Sequence, residues 1–357
     1  MDEPPPTTVA VAWLLDAVTR IFIAQGFSDS AAHFVADNLV RADAAGVPSH
    51  GAMLVPMYID RLRAGSVSMA ESAEVVADHG AMAVLDGKHA LGQLTARQAM
   101  SLTIAKAHEF GLGLVTVRHA FHFGRAAHYA DMAAQDGCIG IAISNTRPLM
   151  PAVGGAEPVV GNNPLAVAVP SSNPPRLVLD MALSEVALGK IRLAAAQGRK
   201  IPETWATDAN GLPTTDPAAA IDGMLLPTGG PKGLGLALVV DVLTGVLSGG
   251  AYGNAVAGLY ADLDKPNDCA HTFMAIDVGF VDSAEEFDNR MSDFSSAIVQ
   301  SRARPDVQRV RLPGEPESER TARSLADGIP LESSVLHALT TTAAAIGAEL
   351  PALPEMR

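Results

Sequence analysis

Short apolar runs that end in small or polar residues alternate with helical segments, and this alternation limits the fold more than any other feature of the sequence. Such runs lie at residues 113–117, 139–143, 165–169 and 177–179. Their length and β-branched content are typical of buried strands. Strands separated by helices predict an α/β architecture, with a site where several strands end.

The segment that follows the first of these runs is the strongest candidate for function. It contains three histidines within ten residues, His119, His122 and His128, and leads into an alanine-rich helix predicted over residues 126–134. The first backbone N–H groups of a helix are unpaired and favour an anion. A single histidine is more often a surface or core residue, but His122 stands beside Gly124 at the strand–helix junction, and we take it as functional.

Helical periodicity dominates the first part of the chain. It predicts helices over residues 9–24, 29–44 and 53–64, with Ser28 as an N-cap of the second. Between the second and third lies the turn Pro48-Ser49-His50-Gly51, which places a hydroxyl and an imidazole side by side. Further helices are predicted over residues 94–109, 184–198, 284–299 and 333–346, and strands at 75–85, 271–276 and 309–312.

Composition excludes several classes of protein. The 357 residues suit two or three domains, and 48% hydrophobic content is enough for sizeable cores. A net charge of −14 argues against binding nucleic acid. The two cysteines, Cys138 and Cys269, form neither a disulfide framework nor a pair at metal-ligand spacing.

No segment reads as a targeting or membrane element. Residues 1–6 have neither the basic nor the apolar region of a signal peptide. The apolar run at residues 234–250 contains Asp241 and several glycines and is shorter than a membrane span, which needs about 20 residues. We therefore expect a buried helix there and a cytoplasmic protein without membrane partners.

Common signatures of catalytic chemistry are missing. The sequence contains no Gly-x-Gly-x-x-Gly after its first strand, no Walker motif, no zinc-binding His-Glu-x-x-His and no nucleophile elbow. What remains is a set of polar loops rich in His, Lys and Arg. Imidazole suits proton transfer near neutral pH, and cations suit an anionic substrate. The residues alone thus indicate an enzyme of a small anionic metabolite, although turn and cap residues would look similar.

An ordered set of motifs resembles the type 2 malate/L-lactate dehydrogenase family, which includes malate, sulfolactate and ureidoglycolate dehydrogenases and piperideine-2-carboxylate reductases. The matching segments span about residues 8–332; they are residues 41–51, 56–65, 122–124, 154–158, 161–164, 180–182, 230–233 and 312–315. Each is weak alone, and their order makes the resemblance specific.

The resemblance implies an NAD(P)-dependent oxidoreductase, a homodimer, with an α/β nucleotide-binding domain that is not of the Rossmann type and a mainly helical second domain. It places the helical substrate and dimer domain at residues 1–75 plus 316–357. The NAD(P)-binding domain then covers residues 76–315, with a helical insertion around residues 185–260. The reaction implied is hydride transfer between the nicotinamide and C2 of a 2-hydroxy or 2-oxo acid.

By the family pattern, His50 supported by Ser49 is the proton donor or acceptor, and His122 is a second acid/base or part of the cofactor cradle. The remaining cofactor contacts implied by the resemblance are Phe123, Gly124, Thr146, Asp180, Met181, Ala182, Lys232, Pro313, Gly314 and Glu315. No metal is expected, and NAD(H) and NADP(H) stay equally open.

Three departures from the family pattern concern the substrate. Leu54 stands where many members have a carboxylate-binding arginine, so another cation, such as Arg125 or Arg147, is needed, or the substrate is unusual. Asn162 replaces a threonine, and Lys190 stands where imine-reducing members have an acid. These positions leave two alternatives to a hydroxy-acid dehydrogenase: a cyclic imine reductase of secondary metabolism and a catalytically retired metabolite-binding protein.

Overall fold

The computed structural model describes residues 6–353, so most of the proline-rich start examined for a signal peptide lies outside the described residues. The helices of the described chain are α1 (Val11–Gln25), α2 (Asp29–Ala44), α3 (Val55–Ala64), α4 (Gly92–Phe110), α5 (Ala126–Gln135), α6 (Leu188–Ala196), α7 (Pro217–Ile221), α8 (Pro231–Asp241), α9 (Val278–Val281), α10 (Ala284–Val299), α11 (Glu315–Asp327) and α12 (Ser333–Ala345). The strands are β1 (Thr7–Val9), β2 (Glu74–His79), β3 (Met82–Asp86), β4 (Leu112–Ala120), β5 (Cys138–Ser144), β6 (Met150–Pro151), β7 (Pro158–Val160), β8 (Leu165–Ala168), β9 (Val178–Met181), β10 (Cys269–Asp277) and β11 (Ile329–Leu331).

Seven strands of the described chain form the main sheet, in the order β2-β3-β4-β10-β5-β8-β9. β3 and β4 pair in parallel, and the other neighbours pair antiparallel. Since β4 and β5 both pair antiparallel with β10, they run in the same direction, and so does β9 on the far side of β8. The carboxyl ends of β4, β5 and β9 therefore meet at one edge of the sheet.

Helices α4 and α5 pack on the sheet through small side chains. The core here contains many alanines, and Gly140 of β5 faces α5 so closely that a Cβ atom there would lie 2.3 Å from the carbonyl oxygen of Ala130. Small residues let helix and strand backbones approach each other. The alanine-rich composition that predicts α5 thus also sets its distance from β5.

A second hydrophobic core lies between α1, α2, α3 and α12. Its fully buried side chains include Leu14, Phe22, Leu39, Leu54 and Tyr58. Strand β1 pairs with β11, which brings the two ends of the described chain together beside this core. The α2 helix begins as predicted, because the Ser28 hydroxyl accepts a hydrogen bond from the Ala31 N–H at its first turn.

Four of the sequence predictions for local structure were wrong or imprecise. Residues 75–85 form a hairpin of β2 and β3 instead of one strand, because Gly80 turns the chain with a φ of +55°. No strand is present at residues 309–312 of the described chain, where Arg309 instead pairs with Glu315 and Glu319. The helix predicted over residues 184–198 is shorter and spans α6 alone.

The fourth error concerns the apolar run at residues 234–250. It forms α8 and a π-helical turn, Val242–Val246, but it is not buried: Val239 and Val242 are each 53% exposed, and Leu236, Leu238, Val246 and Leu247 are similar. An apolar run fits a buried helix and an uncovered surface helix equally well, so the sequence alone cannot separate the two. None of the helices within residues 6–353 is long and apolar enough to cross a membrane.

Candidate active site

His50 and His122 come from distant parts of the chain and face each other. His50 ends the short 3₁₀ turn Pro48–His50 between α2 and α3, and His122 follows β4 at the edge where strand ends meet. Their ring centroids lie 5.5 Å apart. Both side chains are partly buried, and burial lowers the pKa of each imidazole, most strongly that of His122, where the neighbouring His50 and His271 lower it further.

The turn that carries His50 is held by neighbours in sequence and by α2. Ser49 Oγ lies 3.0 Å from His50 Nδ1, so the hydroxyl fixes the ring and leaves Nε2 for other chemistry. Asp43 of α2 accepts a hydrogen bond of 2.7 Å from the Ala52 N–H. Gly51 between them is required, since a Cβ there would lie 2.1 Å from Asp43 Oδ1.

Asp43 makes the turn sensitive to pH. Burial raises the pKa of its carboxyl to about 7, although the Ala52 hydrogen bond acts in the opposite direction. Because the folded pKa lies above the unfolded value near 3.9, its contribution to stability is full below that value and is lost as pH rises through 7. We expect Asp43→Asn, which stays neutral, to gain stability relative to the parent as pH increases. Urea denaturation of both proteins across this range measures the difference, and a constant difference would contradict it.

An ion pair adjoins the two histidines. Arg125 Nε lies 2.9 Å from Asp180 Oδ2, which also accepts a hydrogen bond from the Ala127 N–H at the start of α5. Asp180 raises the pKa of His50 and Arg125 lowers it, both less than burial does, so both charges lie near that ring. The structure therefore brings His50, His122 and Asp180 near one another, and Arg125, one of the two proposed substitutes for the missing arginine, is already paired.

Phe123 and Gly124, which the resemblance implies as cofactor contacts, also stabilise the fold of the loop after His122. Phe123 is buried and stacked between His271 and Tyr129, at centroid distances of 4.3 and 5.1 Å, so its side chain belongs to the core. Gly124 has a φ of +82°, and a Cβ there would lie 2.2 Å from Asn38 Oδ1. Only glycine fits this conformation and this approach.

Thr146 and Asn162 contact each other at the ends of β5 and before β8. The Thr146 hydroxyl donates to Asn162 Oδ1 at 3.0 Å, and the Thr146 N–H donates to Asn163 Oδ1 at 2.9 Å. Asn163 is fully buried and also donates to the Ala237 carbonyl oxygen. Asn162 can therefore serve as a partner of Thr146 where family members have a second hydroxyl.

The other predicted cofactor contacts surround β9. Met181 ends this strand, Ala182 follows it, and both are half-buried. The exposed Lys232 begins α8, next to the turn whose Thr228 N–H donates to the Leu183 carbonyl oxygen. At the start of β9, the Pro313 carbonyl oxygen accepts from the Val178 N–H, and Gly314 packs against the same residue.

The side chains of two predicted site residues, Glu315 and Leu54, are buried in contacts that stabilise the fold. Glu315 is buried, accepts from the Leu312 N–H and pairs with Arg309, so its side chain closes the turn. Burial would raise the pKa of Glu315, but Arg309 and the Leu312 N–H hold it below its ordinary value. Leu54 is 1% exposed and belongs to the helical core.

Lys190 is a surface residue of α6. Its side chain makes no hydrogen bond or ion pair with any residue in the described range 6–353. None of the contacts within these residues links the charge of Lys190 to His50 or His122.

A cleft of about 460 Å³ lies beside the Arg125–Asp180 pair, between α2, α5 and α11. Its lining includes Arg41, Arg125, Arg176, Asn38 and Gly314. The first turns of both α5 and α11 border it, and helix N-termini favour anions. Asn38 is 1% exposed, and its Oδ1 has no hydrogen-bond partner in the described chain and is enclosed against Gly124.

Comparison with known families decides the assignment. The family model for malate/L-lactate dehydrogenase matches residues 9–340. The chain belongs to the malate/L-lactate dehydrogenase family. This assignment confirms the expected non-Rossmann α/β fold and the prediction of a nicotinamide-dependent oxidoreductase.

Relatives in this family carry several activities. A malate dehydrogenase from Pyrococcus abyssi is 37% identical over 342 residues, covering 94% of this chain and 93% of the relative. The solved sulfolactate dehydrogenase of Methanocaldococcus jannaschii has a TM-score of 0.91 at 34% identity, covering 96% of this chain and 98% of that one. The Δ1-piperideine-2-carboxylate reductase of Pseudomonas syringae pvar. tomato has a TM-score of 0.81 at 28% identity, covering 94% and 100%.

A nicotinamide dinucleotide fits the chemistry of the cleft in this family member. Small-molecule pockets usually measure about 300–1,000 Å³, and this cleft lies in that range. The two helix N-termini suit phosphates. The three arginines of the lining each pair with an aspartate, Asp37, Asp180 or Asp131, so a phosphate would have to share them. The cleft is also next to Asp180, whose charge reaches His50.

Sequence reasoning missed several residues that shape the site: Asn38, Asp43, Tyr58, Arg61 and Gln93. Tyr58 and Gln93 lie on α3 and α4 and contact His122 or its partner. Each looks like an ordinary helix residue in the sequence. For Asp43, Tyr58 and Arg61 a signal existed, since all three fall within segments quoted for the family resemblance.

Proposed function

We propose that this protein catalyses reversible, NAD(P)-dependent reduction of a 2-oxo acid to the 2-hydroxy acid, with His50 as the proton donor and acceptor. The observation that carries the proposal is the convergence of His50, His122 and the Arg125–Asp180 pair beside a cleft bordered by two helix N-termini. The bound cofactor supplies or accepts a hydride at C4 of its nicotinamide. His50 gives the substrate oxygen a proton during reduction and takes it back during oxidation.

His50 is suited to this role by its position and its pKa. Ser49 holds Nδ1, which leaves Nε2 available to the substrate. Burial lowers the pKa below the ordinary 6.5, so the ring is mostly neutral at neutral pH and ready to accept a proton from an alcohol. Both protonation states remain accessible because the partly buried ring lies near Asp180, which raises the pKa again.

We propose Gly124, Thr146, Asp180, Met181, Ala182, Lys232, Pro313 and Gly314 as cofactor contacts, together with the backbone of Phe123 and of Glu315. These residues lie at the sheet edge or around β9 and the cleft. Asn162 remains a candidate substrate contact through its pairing with Thr146. Leu54 and Lys190 are proposed only as positions that shape specificity indirectly, because one lies in the core and the other on the surface.

The substrate carboxylate needs a cation, and we propose Arg147 for it. Arg125 is committed to Asp180, whereas Arg147 makes no ion pair with any residue of the described chain. It follows Thr146 directly and lies against Gly258, where a Cβ would be 3.1 Å from Arg147 Cδ. Burial and the nearby Arg192 both lower the pKa of Arg147, so an anion here would relieve repulsion between two cations.

Replacement of Arg147 should therefore affect substrate binding. We expect Arg147→Met to raise KM for a 2-oxo acid about 10- to 100-fold, the loss typical of a charge-assisted hydrogen bond of about 1.5–3 kcal/mol, with little change in cofactor affinity. The conservative Arg147→Lys should recover part of the loss. Steady-state kinetics measure both, and an unchanged KM in Arg147→Met would exclude this assignment.

Calorimetric titration with NADH and NADPH, followed by assays with a panel of 2-oxo acids and cyclic imines, tests the function. Saturable binding of one dinucleotide and its oxidation by a 2-oxo acid is the expected result. Oxidation by cyclic imines alone would support the imine reductase, which the similarity to the piperideine-2-carboxylate reductase favours as the second candidate. If neither dinucleotide binds, the chain is a catalytically retired member and the proposal falls.

We also infer a homodimer in the cytoplasm, in which a second copy covers the apolar surface of α8. The surface is defined by Leu236, Val239, Val242, Val246 and Leu247, each about half exposed in the single chain. Contiguous exposed apolar side chains of this kind mark interaction sites, and a twofold axis lets one patch cover its own copy. We also propose that each subunit consists of two domains, a helical domain (residues 1–75 and 316–357) and an NAD(P)-binding domain (residues 76–315).

Charges in this surface should separate the copies. We expect Val239→Glu with Val242→Glu to convert the dimer to monomers, because burying two carboxylates against an apolar partner is costly. Phe294→Glu on α10 places a charge at another exposed apolar residue and should leave the dimer intact. Analytical ultracentrifugation distinguishes these outcomes; a parent protein that sediments as a monomer would exclude the dimer.

A further inference from the structure

A chain of two hydrogen bonds runs from α4 through α3 to His122. Gln93 Nε2 donates to Tyr58 Oη at 3.0 Å, and Tyr58 Oη lies 2.6 Å from His122 Nδ1. Gln93 and Tyr58 are both fully buried, so water does not compete for these bonds. No role follows for either residue from the proton transfer assigned to His50.

The orientation of the Gln93 amide, with Nε2 towards Tyr58 and Oε1 buried without a partner in the described chain, sets the direction of this chain. A phenol has one proton, and since Tyr58 Oη accepts from Gln93, its own proton is directed at His122 Nδ1. Burial raises the pKa of Tyr58 well above its ordinary value, which keeps the phenol protonated. Burial and the neighbouring His50 and His271 lower the pKa of His122, so its ring is neutral and carries one proton. That proton must then be on Nε2.

His122 Nε2 is the atom that remains open. It has no hydrogen-bond partner in the described chain, and it does not belong to the fully buried unpaired atoms there, so it reaches accessible space. The ring of His50 lies 5.5 Å away, centroid to centroid, facing the same space. An oxygen atom between the rings has two lone pairs and can accept from both.

We propose that Gln93 and Tyr58 are positioning residues that hold His122 as a neutral Nε2–H donor to the C2 oxygen of the substrate, so that His50 alone transfers the proton. This inference rests on the proposed function. In the reduction, C2 gains the hydride while its oxygen gains the proton of His50, and His122 keeps its own proton. A fixed donor aimed at developing negative charge stabilises the transition state without being consumed.

Nuclear magnetic resonance of ¹⁵N-labelled histidines in the full-length protein tests the tautomer. We expect His122 to carry its proton on Nε2 and to show no titration near the ordinary histidine pKa of 6.5. Gln93→Glu replaces the donor by an acceptor, which should reverse the chain and move the proton to Nδ1. Gln135→Glu, on the exposed end of α5, controls for the added charge. An Nδ1 proton in the parent protein would overturn the proposal.

Kinetics of two His122 variants test the donor role. His122→Gln keeps an amide donor and should lower kcat about 10-fold, whereas His122→Met lacks a donor and should lower it about 10²- to 10³-fold. Equal losses in both variants, or a kcat profile that follows titration of His122, would show that it transfers protons instead.

Tyr58→Phe removes the phenol alone and should lower kcat about 10-fold while altering the His122 tautomer. A reduced kcat with the tautomer unchanged would indicate a merely structural role. The tautomer is measured without cofactor or substrate. An Nδ1 proton on His122 would therefore overturn this inference even if the enzyme turns over its substrate. Conversely, absence of turnover with every substrate would remove the proposed function and leave the tautomer result standing.

Discussion

Replacement of His50 by asparagine is expected to lower kcat/KM for the 2-oxo acid by about 10²- to 10⁴-fold, the contribution typical of a general acid–base group. Asparagine can form hydrogen bonds but cannot exchange a proton, so the loss reports proton transfer. Because the partly buried ring has a pKa below 6.5, the parent enzyme should oxidise the hydroxy acid faster as pH rises through that pKa. This limb of the pH profile should disappear in His50→Asn.

Cofactor binding serves as the control for this variant. The 3₁₀ turn that carries His50 is held by Asp43 and Gly51, which the substitution does not touch, so the dissociation constant for the dinucleotide should change by less than about threefold, or roughly 0.7 kcal/mol. Ser49→Ala removes only the partner of Nδ1 and should cost about 10-fold in kcat. Full activity in His50→Asn would exclude the assigned role.

Arg61→Met is expected to cause the largest loss of stability, about 3 kcal/mol or more. Arg61 is fully buried and donates to four backbone carbonyl oxygens, of Gly258, Leu259, Ala261 and Lys265, at 2.9 Å each, and to Ser66 Oγ at 3.2 Å. Methionine preserves much of the packing volume but leaves these acceptors unpaired, and each unsatisfied buried group costs about 1–3 kcal/mol, less where water enters.

Arg63 provides the matched control on the same helix. It is exposed, so Arg63→Met should stay within about 0.5 kcal/mol of the parent. Urea denaturation of both variants measures the free energies of unfolding. Since Arg61 fixes the loop of residues 258–265 against α3, Arg61→Met should also reduce turnover. A stability loss below about 1 kcal/mol would show that the loop is held by other contacts.

Local chemistry made much of the fold predictable. Ser28 caps α2 at the expected residue, and the alternation of short apolar runs with helices predicted the strands of the main sheet. The pairing of β2 with β3 and the order of the sheet were not predictable, because pairing depends on contacts between residues far apart in the chain. The apolar run of α8 was misjudged for a related reason: its composition is the same whether its own chain or a second copy covers it.

The same limit applies to the site. The sequence identified His50, His122 and Asp180 as candidates, because imidazole and carboxylate in polar turns and loops stand out against an apolar chain. Their meeting depended on the shared direction of β4 and β9, which carry His122 and Asp180, and on the packing of the turn between α2 and α3 that carries His50. The tertiary structure also places Tyr58 and Gln93 beside His122 and buries Phe123 and Leu54 in the hydrophobic cores.

By itself, then, the sequence determined which local elements form and which side chains can carry chemistry, because propensity, capping and side-chain type act over a few residues. Only the tertiary structure decided which of those side chains meet, which are neutralised by burial, and which are already paired, as Arg125 is by Asp180. Hydrogen-bond direction and pKa depend on neighbours within a few ångströms, and in this protein most of those neighbours are distant in the chain.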